Sequence, residues 1–455
     1  MVSTANAGHC RKRVNANKLI HNELIIDPAN TRWQSFLKEG GWAKPGPSGE
    51  EFRLARSPGG QGSNSVNIRQ FNERVILAAL RRLGEASKAD LARYAQLTNN
   101  AAGQIVRELE QQNLIRTLGK REGGRGQPAT LLALNAEGAY AVGIRIGRRA
   151  LRALLVDFHG EVLERRSREQ AWPLPQDAVA FILDSIEDFR KVVGPARKRI
   201  AGLGIALPFT MGSWQKELGV SSAELRSWND FDLAVQLRKQ IDLPILIEND
   251  GTAAAAAELF RGAGRKIDDF LYLFIGGAIG GGVVSEGDYR RGAHGNAGDV
   301  GLMPVAPSKL ASAPQPDAPY DVLLSRASVS ALLRHLSHHG FELRTQSELE
   351  ASLPKAAVPV AEWIEDCADA LVGPILSAVR LLDIDTVVID SDLPAPQIEA
   401  LIAAASQHLG RASPEQREPP TLVQGSIGPE AAAIGAAILP LHLNFSPNRE
   451  LLTGH

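Results

Sequence analysis

A two-lobed α/β body preceded by a small helical module with a wing is the fold class this sequence predicts, on three observations. From about residue 137 onward, short apolar runs bounded by Gly and Pro alternate with amphipathic helical stretches. That alternation begins with a hairpin, AVGIRIGRRALRALLVDFHG (141–160), and a second strand–glycine turn–strand, FLYLFIGGAIGGGVVSEGDYRRG, recurs further on. Between residues 63 and 134 three short helical periodicities are followed by strand, glycine-rich tip and strand.

Residues 1–62 show little sustained periodicity and end in ARSPGGQGSNS, whose Gly, Ser and Pro density reads as a flexible extension and linker. In NIRQFNERVILAALRRLG, Phe71, Val75, Ile76, Ala79, Leu80 and Leu83 fall on one helix face and Gly84 is the stop. SKADLARYAQL follows, with Ser87 as N-cap and Asp90 three residues on. A third helix starts after Thr98, with Ile105, Val106, Leu109 and Leu114 facing inward. IRTLGKREGGRGQPATLLALN then reads as strand, tip and strand, which makes residues 63–134 a winged helix-turn-helix.

The third helix would enter a major groove, because the start of its outer face carries small or polar residues: Asn99, Asn100, Gly103 and Gln104. Asn and Gln suit bidentate contacts with adenine, and Arg107 one turn on is placed for phosphate. Ser87, Lys88 and Thr98 at the two helix starts complete the expected contact set, with Arg125 and Gln127 at the wing tip. An arginine on such a tip suits a narrow minor groove.

In the body (137–447), PQDAVAFILDSIEDFRKVV is helical, IAGLGIALP is a strand, and DLAVQLRKQI is a helix before the buried strand PILIEND. GTAAAAAELF is helical again, Ser308–Pro319 is a proline-rich loop, and helices from Ser328 to Val379 lead to the strand DTVVID. The run Ala431–Leu439 reads as a buried helix, and residues 448–455 as a tail.

The formal net charge is −1, unevenly spread: residues 1–60 carry +4, residues 61–130 carry +5, and the remainder −10. A basic front on an acidic body points to a polyanion at the front only. Two distant cysteines, Cys10 and Cys367, give neither a disulfide framework nor a cysteine-rich zinc site. With no apolar run near the ~18 residues of a span and no apolar core behind the basic N-terminus, a cytoplasmic protein without membrane contact is expected.

Taken together, FNERVILAALRRLGEASKADLARYAQLT…GGRGQPATLLALN, ILIENDGTAAAAAELFRGAG and GGAIGGGVVSEGDYRRGAHGNAGDVGLMPV resemble the ROK family of repressors and sugar kinases, over about Asn64 to Leu443. The resemblance implies an all-α-plus-wing winged helix-turn-helix ahead of an actin/hexokinase-like (ROK) body. Working kinases of the family carry an Asp-x-Gly-x-Thr hairpin, where this chain has Arg145, Gly147 and Arg149. Cations at those positions cannot ligate Mg²⁺. A second phosphate loop, Gly-Thr-Gly in the family, reads Gly276-Gly277-Ala278, and a late glycine pair reads Asp390-Ser391. Loss of ATP binding is therefore expected, and no enzyme activity.

On the sugar side, Asn249 and Asp250 match the family's sugar-contacting pair, although an Asn-Asp pair after a strand also suits an N-cap. The family's Gly-Glu-x-Gly-His reads Gly298-Asp299-Val300-Gly301-Leu302, so Asp299 replaces Glu and Leu302 cannot replace His. A second family Glu aligns loosely with Leu324, and His294 and Asn296 are nearby polar residues. The family's zinc loop of three cysteines is here the cysteine-free Ser308–Pro319, which implies no structural zinc, and no cofactor is expected.

The resulting expectation is a DNA-binding transcriptional regulator, a repressor, acting on double-stranded operator DNA as a homodimer or homotetramer, with a sugar or sugar-phosphate effector in the cleft. The alternatives are a carbohydrate kinase with an appended DNA-binding domain, and a regulator whose body is only an oligomerisation scaffold.

Overall fold

The computed structural model describes residues 65–120, 129–148, 150–170, 172–209, 227–228, 231–316, 318–343, 345–413 and 417–447. The expectations for residues 1–62, for Arg125, Gln127 and Arg149, and for the tail lie outside the described residues.

At the front, helix α1 (Ser65–Leu83) ends at Gly84, whose φ of 78° favours glycine. Strand β1 (Glu85–Ser87), helices α2 (Lys88–Tyr94) and α3 (Asn99–Gln111), and strands β2 (Ile115–Lys120) and β3 (Thr130–Leu134) follow. The strands form one antiparallel sheet in the order β1-β3-β2. β1 is an addition to the predicted pair; at three residues it is too short to leave a period-2 signal.

The capping box before α2 is present. Ser87 Oγ accepts from the Asp90 N–H at 3.2 Å and donates to Asp90 Oδ2 at 2.7 Å, and the Ser87 N–H donates to the same oxygen at 3.1 Å. These bonds, the hydroxyl's first, hold the Asp90 carboxyl at about 2, against an ordinary 3.8. A carboxyl depressed on folding contributes stability that is complete above its ordinary value and is lost as the pH falls through its folded one. Ser87→Ala is expected to cost about 1 kcal/mol and to move the Asp90 midpoint back toward 3.8 in a carboxyl NMR titration. An unmoved midpoint would rule out Ser87 as the cause.

The predicted face of α1 holds for Ile76, Ala79 and Leu80, but Leu83 is 48% exposed while Leu77 is fully buried. Gln70, Glu73 and Arg74 are buried as well. The reason is that α1 is covered twice, by its own module and by the body. Arg74 donates to the Leu443 carbonyl at 3.1 Å, and burial lowers its pKa to about 10. Arg81 stacks over Phe260 at 3.8 Å and donates to the Phe158 carbonyl at 3.2 Å, its pKa lowered to about 9 by burial. One apolar core runs from Ile76, Leu91 and Leu109 through to Phe158, Phe260, Ile434 and Phe445.

The body holds two five-stranded sheets of the same topology. The first contains β4 (Tyr140–Ile146), β5 (Ala150–Val156), β6 (Val162–Glu169), β7 (Ile200–Leu207) and β8 (Ile245–Asn249), in the order β6-β5-β4-β7-β8. The second contains β9 (Phe270–Ile275), β10 (Ile279–Ser285), β11 (Asp288–Arg290), β14 (Thr386–Ser391) and β15 (Thr421–Gln424), in the order β11-β10-β9-β14-β15. In each, an antiparallel three-stranded meander is extended by two strands parallel to its first. Between these sheets' last strands in sequence, the short pair β12 (Pro304–Val305) and β13 (Asp321–Val322) forms a separate ribbon.

Two readings need correction. β8 is an edge strand with only Glu248 buried, rather than a buried strand. β6 was not foreseen, because its ERRSRE run is polar on both faces, as an exposed edge permits.

Helix α4 (Pro175–Val193) packs on the first sheet, and α5 (Leu233–Arg238) packs beside it. Helices α6 (Asp250–Arg261) and α12 (Ala431–Phe445) form the centre of the body, while α7 (Leu323–Arg326), α8 (Val329–His338), α9 (Gln346–Ser352), α10 (Ala357–Leu382) and α11 (Ala395–Ala412) belong to the second lobe. The α6 and α12 sequences are rich in Ala and Gly because their backbones nearly touch. A Cβ at Gly435 would lie 1.6 Å from the Ala253 carbonyl oxygen, and one at Gly204 of β7 would lie 1.8 Å from that of Ala436.

Candidate functional site

At the start of α3, Thr98 caps the helix by accepting from the Ala101 N–H at 3.2 Å. Thr98, Asn99, Asn100, Gln104 and Arg107 are exposed, as is Lys88 at the start of α2. Two expected contact residues are placed otherwise. Gly103 is buried, because it falls on the inward face with Ala102 and Val106. Ser87 is only 6% exposed and its hydroxyl is used in the cap. The free N–H groups at the start of α3 and the amides beside them form a polar, donor-rich patch of the kind that meets phosphate or base edges.

Asn249 and Asp250 stand where β8 passes into α6. Asn249 Oδ1 accepts from the N–H groups of Gly251 and Thr252 at 2.9 and 3.2 Å, so the N-cap role is real and Nδ2 is what remains for a ligand. Asp250 Oδ2 lies 4.0 Å from Arg145 Nη2 on β4. Gly251 and Gly298, the neighbours of Asp250 and Asp299, both pack against the Gly281–Gly282 backbone of β10, which brings the two chain segments together. Asp299 accepts from Asn296 Nδ2 at 2.8 Å. His294 is exposed on the same loop, Leu302 is 58% exposed, and Leu324 is in the core of the second lobe.

Sequence reasoning missed Glu248 and Arg291. The Glu248 carboxylate is buried, accepts from the Asn249 N–H at 3.0 Å, and pairs with Arg291 Nε at 2.6 Å. Burial pushes its pKa up despite the arginine. The pair ties the end of β8 to the loop that carries Asp299. An isolated acid inside the apolar run ILIEND was the available signal.

Arg145 and Arg152 are cross-strand partners in the β4–β5 hairpin, on the same face. Both act on Asp392, which follows β14 and accepts from the Gly277 N–H in the β9–β10 turn. Burial outweighs the two arginines and raises the Asp392 carboxyl. Asp390 accepts from Tyr272 Oη at 3.2 Å and from the Gly428 N–H at 2.9 Å, and burial raises it also. Ser391 Oγ donates to the Ile275 carbonyl at 2.5 Å. Thus the β9–β10 turn and two arginines of the β4–β5 hairpin face one of the chain's own carboxylates.

The ROK family model matches residues 141–442, most of the chain. The chain belongs to the ROK family. It is 27% identical over 380 residues to an uncharacterized protein of Sinorhizobium fredii, covering 82% of this chain and 92% of that one. It is 24% identical over 238 residues to the xylose repressor of Bacillus subtilis, covering 52% of this chain and 61% of the repressor. Among solved structures, a ROK family transcriptional regulator homologous to Escherichia coli Mlc superposes with a TM-score of 0.63 at 22% identity, covering 86% of this chain and all of that one. A ROK hexokinase from Thermus thermophilus superposes at 0.52 and 24% identity, covering 67% and 98%. These likenesses place the body in the ROK fold. In this ROK body the proline-rich loop is tied down by hydroxyls: Ser308 Oγ donates to Asp366 at 2.8 Å, and Ser312 Oγ lies 2.8 Å from His335 Nδ1. Among the described residues no helix is long and apolar enough to cross a membrane.

Proposed function

We propose that the chain is a DNA-binding transcriptional regulator of the ROK type, acting as a repressor and not as an enzyme. In this reading residues 63–134 are a winged helix-turn-helix, and residues 137–447 are a body that dimerises or tetramerises and takes a sugar or sugar-derived effector on Asn249, Asp250 and Asp299. The observation that carries it is the exposed start of α3, where Asn99, Asn100, Gln104 and Arg107 stand together beside Lys88 and Thr98. The β9–β10 turn supports the same reading: its Gly277 N–H and the arginines of the β4–β5 hairpin already face Asp392.

Helix α6 offers a direct mechanical link. Its first residue is Asp250 after β8, while Phe260 near its end lies under Arg81 of α1, and Arg265 just beyond donates to the Arg81 carbonyl at 3.3 Å. An effector that binds Asp250 better in one lobe arrangement than in another shifts that same helix against the DNA-binding module.

The test is fluorescence anisotropy of the full chain on DNA from its own upstream region. Asn100→Ala is expected to cost about 1–3 kcal/mol at one base-pair position, and Arg107→Ala to weaken all sequences alike with a smaller salt slope. Equal losses on specific and random DNA for both variants would overturn base reading by α3. A carbohydrate kinase is the second reading, favoured by the fold shared with the hexokinase. Glucose-dependent ATP turnover by the purified chain would establish it in place of the first.

A further inference from the structure

We propose that His335, His339 and Glu362 form a divalent-metal site, suited to zinc, that joins the end of α8 to α10. The proposal is independent of the regulator reading, since the site lies in the second lobe away from the cleft residues. His335 and His339 are four residues apart, so the helical turn puts both imidazoles on one side of α8. Their Nε2 atoms lie 3.1 and 3.5 Å from the same oxygen, Glu362 Oε2, and all three donor atoms are within 4.8 Å of one another. A zinc ion about 2.0–2.1 Å from each of its tetrahedral ligands requires donors roughly 3.3–3.4 Å apart. The two nitrogen–oxygen separations lie on either side of that edge.

The donor types agree with the spacing. Two neutral imidazoles and one carboxylate form a mixed nitrogen–oxygen set that selects zinc over calcium or magnesium. His335 is 3% exposed, and its other nitrogen, Nδ1, faces Ser312 Oγ at 2.8 Å. With Nδ1–H donating to that hydroxyl, the Nε2 lone pair points to the ion position, an outer-shell arrangement that fixes a metal-binding histidine. His339 and Glu362 are 37% and 45% exposed, which leaves a path for the ion and room for a water as fourth ligand. Because Ser312 belongs to the proline-rich loop, the ion would clamp that loop, α8 and α10 together. These donors are distinct from the family's three-cysteine loop, which this chain lacks.

The test uses the untagged full chain, stripped with a chelator and dialysed against zinc, with bound metal counted by mass spectrometry and cobalt absorption reporting geometry. Wild type is expected to retain one ion per chain with a tetrahedral cobalt spectrum. His339→Ala and Glu362→Gln, both at exposed positions, should lose affinity by more than about tenfold, and Ser312→Ala by about tenfold through the outer shell. His338→Ala, an exposed neighbour outside the donor set, should bind as wild type does. Circular dichroism confirms that each variant is folded. Uptake unchanged in both ligand variants, or no uptake by wild type at micromolar zinc, would overturn the site.

Discussion

Gly435→Val is expected to give no stable folded protein. The added Cβ would sit 1.6 Å from the Ala253 carbonyl oxygen and 2.3 Å from its carbon, and what it meets is helix backbone that cannot rotate away. Overpacking a core commonly costs about 1–3 kcal/mol, mostly where side chains can shift. Here α6 and α12 must separate, and with them the β8–α6 junction and both sheets, so a cost above about 3 kcal/mol is expected. Soluble yield and the calorimetric midpoint measure it. Gly373→Ala in α10 is the matched control of opposite sign: nothing lies within 4 Å of its added Cβ, and it should stabilise the helix by about 0.5–1 kcal/mol. If both variants behaved alike, close backbone approach would not be what the glycine at 435 is for.

Arg326→Met is the second large effect expected. Arg326 is 3% exposed and donates to the Asp366 carboxylate at 2.7 and 3.1 Å, to Asp369 at 2.9 Å, and to the carbonyls of Ala306 and Asp366 at 3.0 and 2.9 Å. Asp366 is itself 7% exposed. Removing the guanidinium leaves a buried carboxylate without its cation, which costs about 3–5 kcal/mol. The double variant Arg326→Met/Asp366→Leu removes both charges and should recover much of that loss, since a buried pair replaced by apolar groups is often near neutral. Thermal denaturation of the single and double variants decides it: a double variant as unstable as the single would assign the role of Arg326 to packing and carbonyl contacts.

What the sequence made legible was whatever has a period or a local motif. The β4–β5 hairpin, the Ser87 and Thr98 caps and the buried helix from Ala431 could all be read, because each rests on residues within one turn or strand. The second buried face of α1 could not. Periodicity reports one apolar side, and the face that meets the body carries Arg74, a buried cation whose partners are the carbonyls of Leu443 and Ser446, far away in sequence. Strand β6 was missed because an exposed edge needs no alternation. At the site, the N-cap reading of Asn249 is met in the structure, because it rests on the two residues that follow. The contact of Asp392 was not found: it meets Gly277 across more than a hundred residues, and no local pattern marks an aspartate that takes up a turn's N–H. Gly103 was misassigned for a related reason. A glycine counts as small and polar-compatible on a helical projection, but its position beside Ala102 and Val106 puts it inside.

The unbroken core beneath α1 has a consequence for how such a chain can be rebuilt. A front module that merely hung from a tether could be exchanged for another, leaving the body behind it intact. Here Arg81 lies on Phe260, Arg74 holds the carbonyls near the end of α12, and Phe158 meets Phe445 at 4.8 Å between ring centroids directly behind the module. A chimaera joined between β3 and β4 would expose that aromatic seam unless the incoming module supplied a matching helix. The front of this chain is therefore not a unit that can be transplanted without its seat on the body.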